Sequence, residues 1–195
     1  MEYMDEAILE MRQKEKEKRH TTLETGIYVN RKLIEFQTEP LYDQQMELML
    51  PVTFIDMPQM VADVKYPSRY RPQIIKTSLD GTVNITFNIF DIRVEGSGGL
   101  EEVAARFQAV LKQVNPAVKI FNHDEVVDGE RHYRLFSYKS YGLDAQIYNL
   151  VCVTPVGDRI LQACFNCEYK DHQLWEEIAK QMFVTIKETS GQRRH

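Results

Sequence analysis

Cys164 and Cys167 form a C-x-x-C pair, a spacing at which two thiols can carry chemistry. Such a pair binds a metal or forms a redox disulfide when a turn or a helix start makes both sulfur atoms converge. Here the pair lies in ILQACFNCEY, a strand-like run in which residues three apart point to opposite faces. We therefore predict ordinary buried cysteines. A thiol-redox protein acting through this pair is the weakest functional alternative.

The third cysteine, Cys152, lies in the preceding strand-like run. It would come near Cys164 only if the loop between the two strands held an odd number of residues. An odd total of 3 cysteines leaves no disulfide framework to assign, and we expect a reducing, cytoplasmic environment.

The segment HDEVVDGERH contains potential metal ligands, since His123, Glu125 and His132 offer two imidazoles and a carboxylate for zinc. If Asp128-Gly129 is a two-residue turn, Glu125 faces His132 and His123 faces Arg134 on one side of a hairpin. The same arrangement is an ordinary ladder of solvated charges, and a cation disfavours a neighbouring metal. We therefore predict no metal and no other cofactor, with these three residues as weak candidates.

No sequence pattern indicates an enzyme. The glycine-rich residues 96–99 precede a helix, as phosphate-binding loops do, but Glu101 and Glu102 would repel phosphate there. Neither a G-x-G-x-x-G fingerprint nor a G-x-S-x-G nucleophile context occurs. We expect a non-enzymatic protein.

The aromatic and basic segment KYPSRYRP, residues 65–72, is the strongest candidate for binding. Tyrosine and arginine are favoured at protein-binding hot spots, and two prolines would stiffen the loop and lower the entropy cost of binding. The predicted contact residues are Tyr66, Arg69, Tyr70 and Arg71, with Tyr138 and Tyr141 of the YKSYG turn as weaker candidates. The alternative is that the tyrosines pack inside and the arginines are merely solvated.

Length and charge restrict the function further. A chain of 195 residues suits one domain, and a net charge of -5 argues against general nucleic-acid binding. The N-terminus lacks the pattern of a secretory signal, and no run is long enough to span a membrane.

Three regions follow from composition. Residues 1–20 predict a charged amphipathic helix or tail, in which acidic residues precede basic ones and Met4, Ile8 and Met11 form an apolar stripe. This helix docks on its own domain, frays in solvent, or pairs with a partner or with a second copy in a homodimer. Residues 21–189 predict a single α+β domain with strands in residues 26–58, and residues 190–195 a disordered tail.

The elements that position these residues are hairpins and amphipathic helices. Asp80-Gly81, Asp128-Gly129 and Gly157-Asp158 each separate two strand-like runs. One helix is predicted over residues 99–114, and another begins after Asp171. Because strands and helices do not alternate regularly, we predict an antiparallel sheet with helices on its faces, an α/β/α sandwich of the α+β class.

A family resemblance rests on specific segments of the second half. These are Tyr66-Pro67, Phe87-Asn88-Ile89, the helix from Leu100, and the corner CEYKD followed by Trp175. With them, residues 66–187 resemble the PsbP-like fold group, which includes the extrinsic photosystem II subunit, the Ran-binding Mog protein and bacterial DcrB-type proteins. The resemblance implies a binding scaffold without a shared active site. The chain departs from many bacterial relatives in lacking an export signal, and it has about forty additional N-terminal residues.

The leading functional hypothesis is therefore a non-enzymatic module, adaptor or chaperone-like, that binds another protein in the cytoplasm. The second is a small-molecule-binding protein or an uncharacterised enzyme with a pocket between sheet and helix. The thiol-redox protein through Cys164 and Cys167 is the third.

Overall fold

The computed structural model describes residues 2–94, 96–142 and 145–189. Within these ranges the helices are α1 (Glu2–Glu17), α2 (Gln59–Lys65), α3 (Gly96–Val114) and α4 (His172–Val184). A 3-10 turn, Tyr169–Asp171, leads into α4. The predicted disordered tail, residues 190–195, lies outside the described residues.

The strands are, in chain order, β1 (Thr21–Thr22), β2 (Gly26–Val29), β3 (Lys32–Ile34), β4 (Phe36–Leu41), β5 (Met46–Pro51), β6 (Ile55–Asp56), β7 (Ile74–Thr77), β8 (Asn84–Phe90), β9 (Lys119–Asp128), β10 (Arg131–Tyr141), β11 (Gln146–Val156), β12 (Arg159–Glu168) and β13 (Lys187–Glu188). Neighbouring strands pair antiparallel. The central sheet has the order β6-β7-β8-β12-β11-β10-β9, and two smaller sheets have the orders β1-β2-β3 and β13-β5-β4.

Helices α3 and α4 cover opposite faces of the central sheet. Leu100 and Val103 of α3 pack on one face against Val153 of β11. On the other face, Trp175 of α4 packs against Phe165 of β12, with ring centroids 5.8 Å apart. We call these the α3 face and the α4 face. Helices on both faces of an antiparallel sheet confirm the predicted α+β sandwich.

The smaller sheets complete the core on the α4 face. Met46, Leu48 and Leu50 alternate along β5 and are at most 2% exposed, as the sequence pattern predicts for a half-buried strand. They belong to the same apolar cluster as Val29 of β2 and Leu23, which lies in the turn between β1 and β2. The N-terminal strands are therefore part of the domain core, which α1 precedes.

Two predicted turns have the expected form. The final hairpin turns at Gly157-Asp158, because Val156 pairs with Arg159 and Gly157 has a φ of 62°. The turn at Asp80-Gly81 is held by the Asp80 carboxylate, which accepts hydrogen bonds from the Ser78 hydroxyl (2.6 Å) and from the Thr82 backbone N–H (3.0 Å).

The predicted turn of the β9–β10 hairpin at Asp128-Gly129 is wrong. Asp128 pairs with Arg131, so the turn consists of Gly129 and Glu130. Gly129 has a φ of 61°, and glycine with positive φ at the first turn position is what a type II′ turn requires. The pairing therefore shifts along the strands, and Glu125 lies opposite Arg134 rather than opposite His132.

The predicted helices form: α3 begins three residues before the predicted start and ends at Val114 as predicted, and α4 begins directly after Asp171. In α3, Leu100 and Val103 are buried, whereas the apolar residues Val110 and Val114 near its end are 56% and 79% exposed. Asp171 occupies the position before α4, yet its side chain makes no capping hydrogen bond.

One buried cation joins the sheets. Lys76 of β7 is only 7% exposed, and its Nζ lies 2.7 Å from Glu39 Oε1 of β4 and 2.8 Å from Asp56 Oδ1 of β6. Burial of the ammonium group lowers the pKa of Lys76, but the hydrogen bonds to both carboxylates outweigh it and the net shift is upward. This ion triad ties the β13-β5-β4 sheet to the central sheet.

Candidate protein-binding surface

Helix α2 exposes most of its apolar side chains. It buries Ala62 in a small cluster with Met57 and Ile75. Met60 and Val64, one turn apart, are 84% and 79% exposed. Val61 is 39% exposed. Exposed apolar side chains grouped in this way and bordered by polar residues mark interaction surfaces more often than singly scattered ones do.

Two contacts with other segments, one from Arg71 and one to Gly81, hold α2 in place. The Asp63 carboxylate accepts hydrogen bonds from Gln59 Nε2 (2.8 Å) and from Arg71 Nη1 (2.5 Å), the latter also an ion pair. The Lys65 ammonium donates a hydrogen bond to the backbone carbonyl of Gly81 in the β7–β8 turn. The loop after α2 is therefore folded back on the helix, and the whole segment is anchored to the neighbouring hairpin.

Tyr70 is a further exposed residue, in the loop that the Arg71–Asp63 ion pair ties to α2. Its side chain is 77% exposed, and Arg69 Nη2 donates a hydrogen bond of 2.6 Å to its hydroxyl. The Arg69 guanidinium carbon lies 4.6 Å from the Tyr70 ring centroid, within cation–π range. The Tyr70 backbone N–H donates to the Ser68 hydroxyl (3.1 Å), which supports the turn. We call Met60, Val61, Val64 and Tyr70 the α2 patch.

Tyr66 has a different position from the other predicted contact residues. Its ring packs against the cluster beneath α2, and its hydroxyl accepts a hydrogen bond of 3.3 Å from Asn166 Nδ2 on β12. Burial raises the pKa of Tyr66 to about 12. Asn166 in turn accepts a hydrogen bond from Asn84 (2.9 Å), which accepts one from Thr77 (2.7 Å). Tyr66 therefore attaches the loop to the α3 face of the sheet.

The weaker candidates Tyr138 and Tyr141 point to opposite faces, since they lie three residues apart on β10. Tyr138 packs with the α3-face cluster, and burial raises the pKa of its hydroxyl. Tyr141 is 53% exposed, and the ammonium of Lys139 lies 5.7 Å from its ring centroid and 4.3 Å from that of Tyr169. The structure therefore does not bring these two tyrosines together.

Of the three weak metal candidates, Glu125 and His132 are in contact, whereas His123 contacts a residue of α3. Glu125 contacts both Arg134 Nη1 (3.2 Å) and His132 Nδ1 (3.3 Å), while His123 Nδ1 lies 3.2 Å from Gln108 Nε2 of α3. Among the residues that the structure describes, no three His, Cys, Asp or Glu side chains converge as metal ligands do. The charged side chains of the β9–β10 hairpin therefore form a ladder, but the strands pair in a register different from the predicted one.

The cysteines lie on different faces of the sheet. Cys164 is opposite Val151, and Cys152 is opposite Ala163, because the intervening turn has two residues. Cys152 and Cys167 belong to the α4-face core and Cys164 packs with the α3-face cluster. All three are free thiols. Burial raises the pKa of Cys164 and Cys167 to about 12, which disfavours the thiolate needed for redox chemistry. The thiol-redox alternative therefore has no structural support.

The segment that carries the α2 patch, residues 59–72, has more basic than acidic residues. It contains Lys65, Arg69 and Arg71 and one acidic residue, Asp63, which pairs with Arg71. The whole chain has a net charge of -5, so this segment differs in sign from the protein as a whole.

None of the helices in the described ranges combines the length and the apolar composition needed to cross a membrane. No protein-family model matches the chain, and neither does any curated protein sequence.

Solved structures match the chain in fold. The solution structure of cyanobacterial PsbP (CyanoP) from Synechocystis sp. PCC 6803 aligns with a TM-score of 0.61 at 11% identity, over 84% of this chain and 98% of that chain. The Ran-binding protein Mog1p of Saccharomyces cerevisiae aligns with a TM-score of 0.52 at 12% identity, over 78% and 95% of the two chains. A mutant of protein Mog1 aligns with a TM-score of 0.55 at 12% identity, over 81% and 98%. The predicted PsbP-like fold is confirmed, and at such low identity the likeness concerns the fold alone.

The sequence indicated the loop after α2 as a binding segment, but it did not indicate that the apolar residues of α2 are exposed. The available signal was the position of three apolar residues within the short segment between Pro58 and Pro67. A helix confined between two prolines has too few residues to bury several side chains on one face.

Proposed function

We propose that this protein is a non-enzymatic protein-binding module that docks another protein on the α2 patch. The observation that carries the proposal is the exposure of Met60, Val64 and Tyr70, at 84%, 79% and 77%, on a segment fixed by hydrogen bonds. Met, Tyr and Arg are enriched at protein interfaces, and a fixed segment loses little entropy when it binds. We expect it to act in the cytoplasm.

The partner that this surface fits offers apolar side chains flanked by carboxylates. The apolar side chains would cover Met60 and Val64, and the carboxylates would pair with Lys65 and Arg69. The Ran-binding protein Mog1p, which shares the fold, binds a protein, and this supports a scaffold role. Tyr66 and Tyr138 stabilise the loop and the sheet in this proposal, and Tyr70 and Arg69 make the contacts.

The test is affinity capture from native cells with the full chain as bait, followed by quantitative mass spectrometry. Val64→Ser and Tyr70→Ala should each reduce recovery of the specific partners. Truncating a central interface tyrosine costs about 2 kcal/mol, or roughly thirtyfold in affinity. Val114→Ser on α3 is the matched control, because Val64 and Val114 are both helical valines with 79% exposure. Equal recovery of every protein by all baits would refute the α2 patch as the binding site.

A further inference from the structure

Helix α1 is a charged helix whose apolar side chains are exposed wherever the structure describes them. Where the structure describes its side chains, Ile8 and Met11 are 48% and 69% exposed. Neither Ile8 nor Met11 belongs to an apolar cluster found among the described residues. The apolar stripe that the sequence places on α1 therefore faces solvent at the positions that are described.

The first half of α1 has the chemistry that the α2 patch requires. Residues 2–11 contain four carboxylates and neither lysine nor arginine. The carboxylates are Glu2, Asp5, Glu6 and Glu10. Met4, Ile8 and Met11 share one side of the helix by their spacing of four and three residues. The acidic first half of α1, with its apolar stripe, complements an apolar patch whose segment also carries Lys65, Arg69 and Arg71.

The connection between α1 and the domain argues against docking within one chain. Only residues 18–20 separate α1 from β1, and their backbone N–H groups continue to bond to the last turn of the helix. The imidazole of His20 packs edge-on against Tyr28, with ring centroids 5.4 Å apart. The segment that follows α1 packs into the α4-face core through Leu23 and Val29. In contrast, α2 packs with Ile75 and Tyr66 on the α3 face.

We infer that α1 of one copy docks its acidic first turns on the α2 patch of a second copy. The inference rests on the proposed function, because it takes the α2 patch to be a protein-docking surface, and it names the occupant. Reciprocal docking of two such helices makes a closed two-fold dimer. Any other partner that uses the α2 patch then competes with α1.

A charge exchange between full-length variants tests the inference. The first variant carries Glu6→Lys and Glu10→Lys in α1, and the second carries Lys65→Glu and Arg69→Glu beside the α2 patch. Each variant alone brings like charges together, so each should dimerise at least about tenfold more weakly than the wild type. In an equimolar mixture, each helix meets a patch of opposite charge. Sedimentation equilibrium should then show a mixed dimer with near wild-type affinity, weakened by added salt.

Several results would overturn this inference. These are a wild-type chain that stays monomeric up to several hundred micromolar, variants that dimerise as well as the wild type, and a mixture that does not recover. Far-UV circular dichroism verifies folding, and Arg69→Glu alone replaces the second variant if the double substitution unfolds. If the mixed variants do not dimerise but Val64→Ser still loses its captured partners, self-docking is rejected and the proposed function stands. Unchanged capture in Val64→Ser rejects the proposed function itself.

Discussion

The ion triad of Lys76 makes a quantitative prediction about stability. We consider Lys76→Met, which keeps the apolar stem and removes the charge. The side chain of Asp56 is 79% exposed and hydrates freely once its partner is lost, whereas that of Glu39 is only 26% exposed. Removing one member of a fully buried ion pair costs about 3–5 kcal/mol. With one partner largely hydrated, we expect Lys76→Met to lower the free energy of unfolding by about 2 kcal/mol.

Trp175 provides the assay for Lys76→Met. It is the single tryptophan of the chain, is 8% exposed and lies in the core on the α4 face. Its fluorescence during equilibrium urea unfolding therefore reports on the core to which β4 and β5 contribute. Adding Glu39→Met to Lys76→Met removes the unpaired carboxylate and should restore most of the lost stability. A loss below about 0.5 kcal/mol for Lys76→Met, or no recovery in the double variant, would refute the reasoning.

The same triad predicts a pH dependence. Because the folded state raises the pKa of Lys76 above its ordinary value of 10.5, the triad contributes fully to stability below that pH. The contribution is lost as pH rises through the folded pKa. The difference in unfolding free energy between wild type and Lys76→Met should therefore shrink in alkaline solution above pH 10.5. A difference that stays constant there contradicts the upward shift.

Two further predictions concern the α3 face and the thiols. Tyr66→Phe should cost about 1 kcal/mol, measured by urea unfolding, because it removes the hydroxyl that Asn166 contacts but keeps the ring. Capture of partners by the folded Tyr66→Phe variant should be unchanged, and a loss comparable to that of Tyr70→Ala would make Tyr66 a contact residue. Cys164 and Cys167 should react with iodoacetamide at pH 8 at least about a hundredfold more slowly in the native chain than in urea, since burial raises the pKa of both to about 12. Rapid native alkylation would restore the thiol-redox alternative.

The sequence predicted those parts of the fold that depend on local patterns. The alternation of Met46, Leu48 and Leu50 and the Gly157-Asp158 turn are each specified by residues close together in the chain. The β9–β10 register was mispredicted because Asp128-Gly129 and Gly129-Glu130 are both acceptable two-residue turns. A type I′ turn at Asp128-Gly129 has a positive φ at both positions, whereas the observed turn has it only at Gly129, and the local pattern does not decide between them.

The positions of the candidate binding residues were less predictable, because burial depends on contacts between distant segments. Tyr66 and Tyr70 lie four residues apart in one loop and belong to the same residue type. One reaches Asn166, a hundred positions along the chain, and the other remains exposed. Composition predicted a binding segment there, but it could not tell which tyrosine holds the loop and which one faces solvent.

Because α2 is short, its exposed side chains contribute little to the stability of the fold. Helix α2 has 7 residues, about two turns, and Ala62 is the residue that it buries. Fully burying a valine or methionine side chain stabilises a fold by about 1.5–3 kcal/mol. Met60 and Val64 are exposed in the isolated domain and do not provide this stabilisation. Polar residues at these positions would keep the helix and improve solubility. These apolar side chains therefore gain their burial free energy only when a second surface covers them. In the proposed complex, the partner covers the α2 patch in this way.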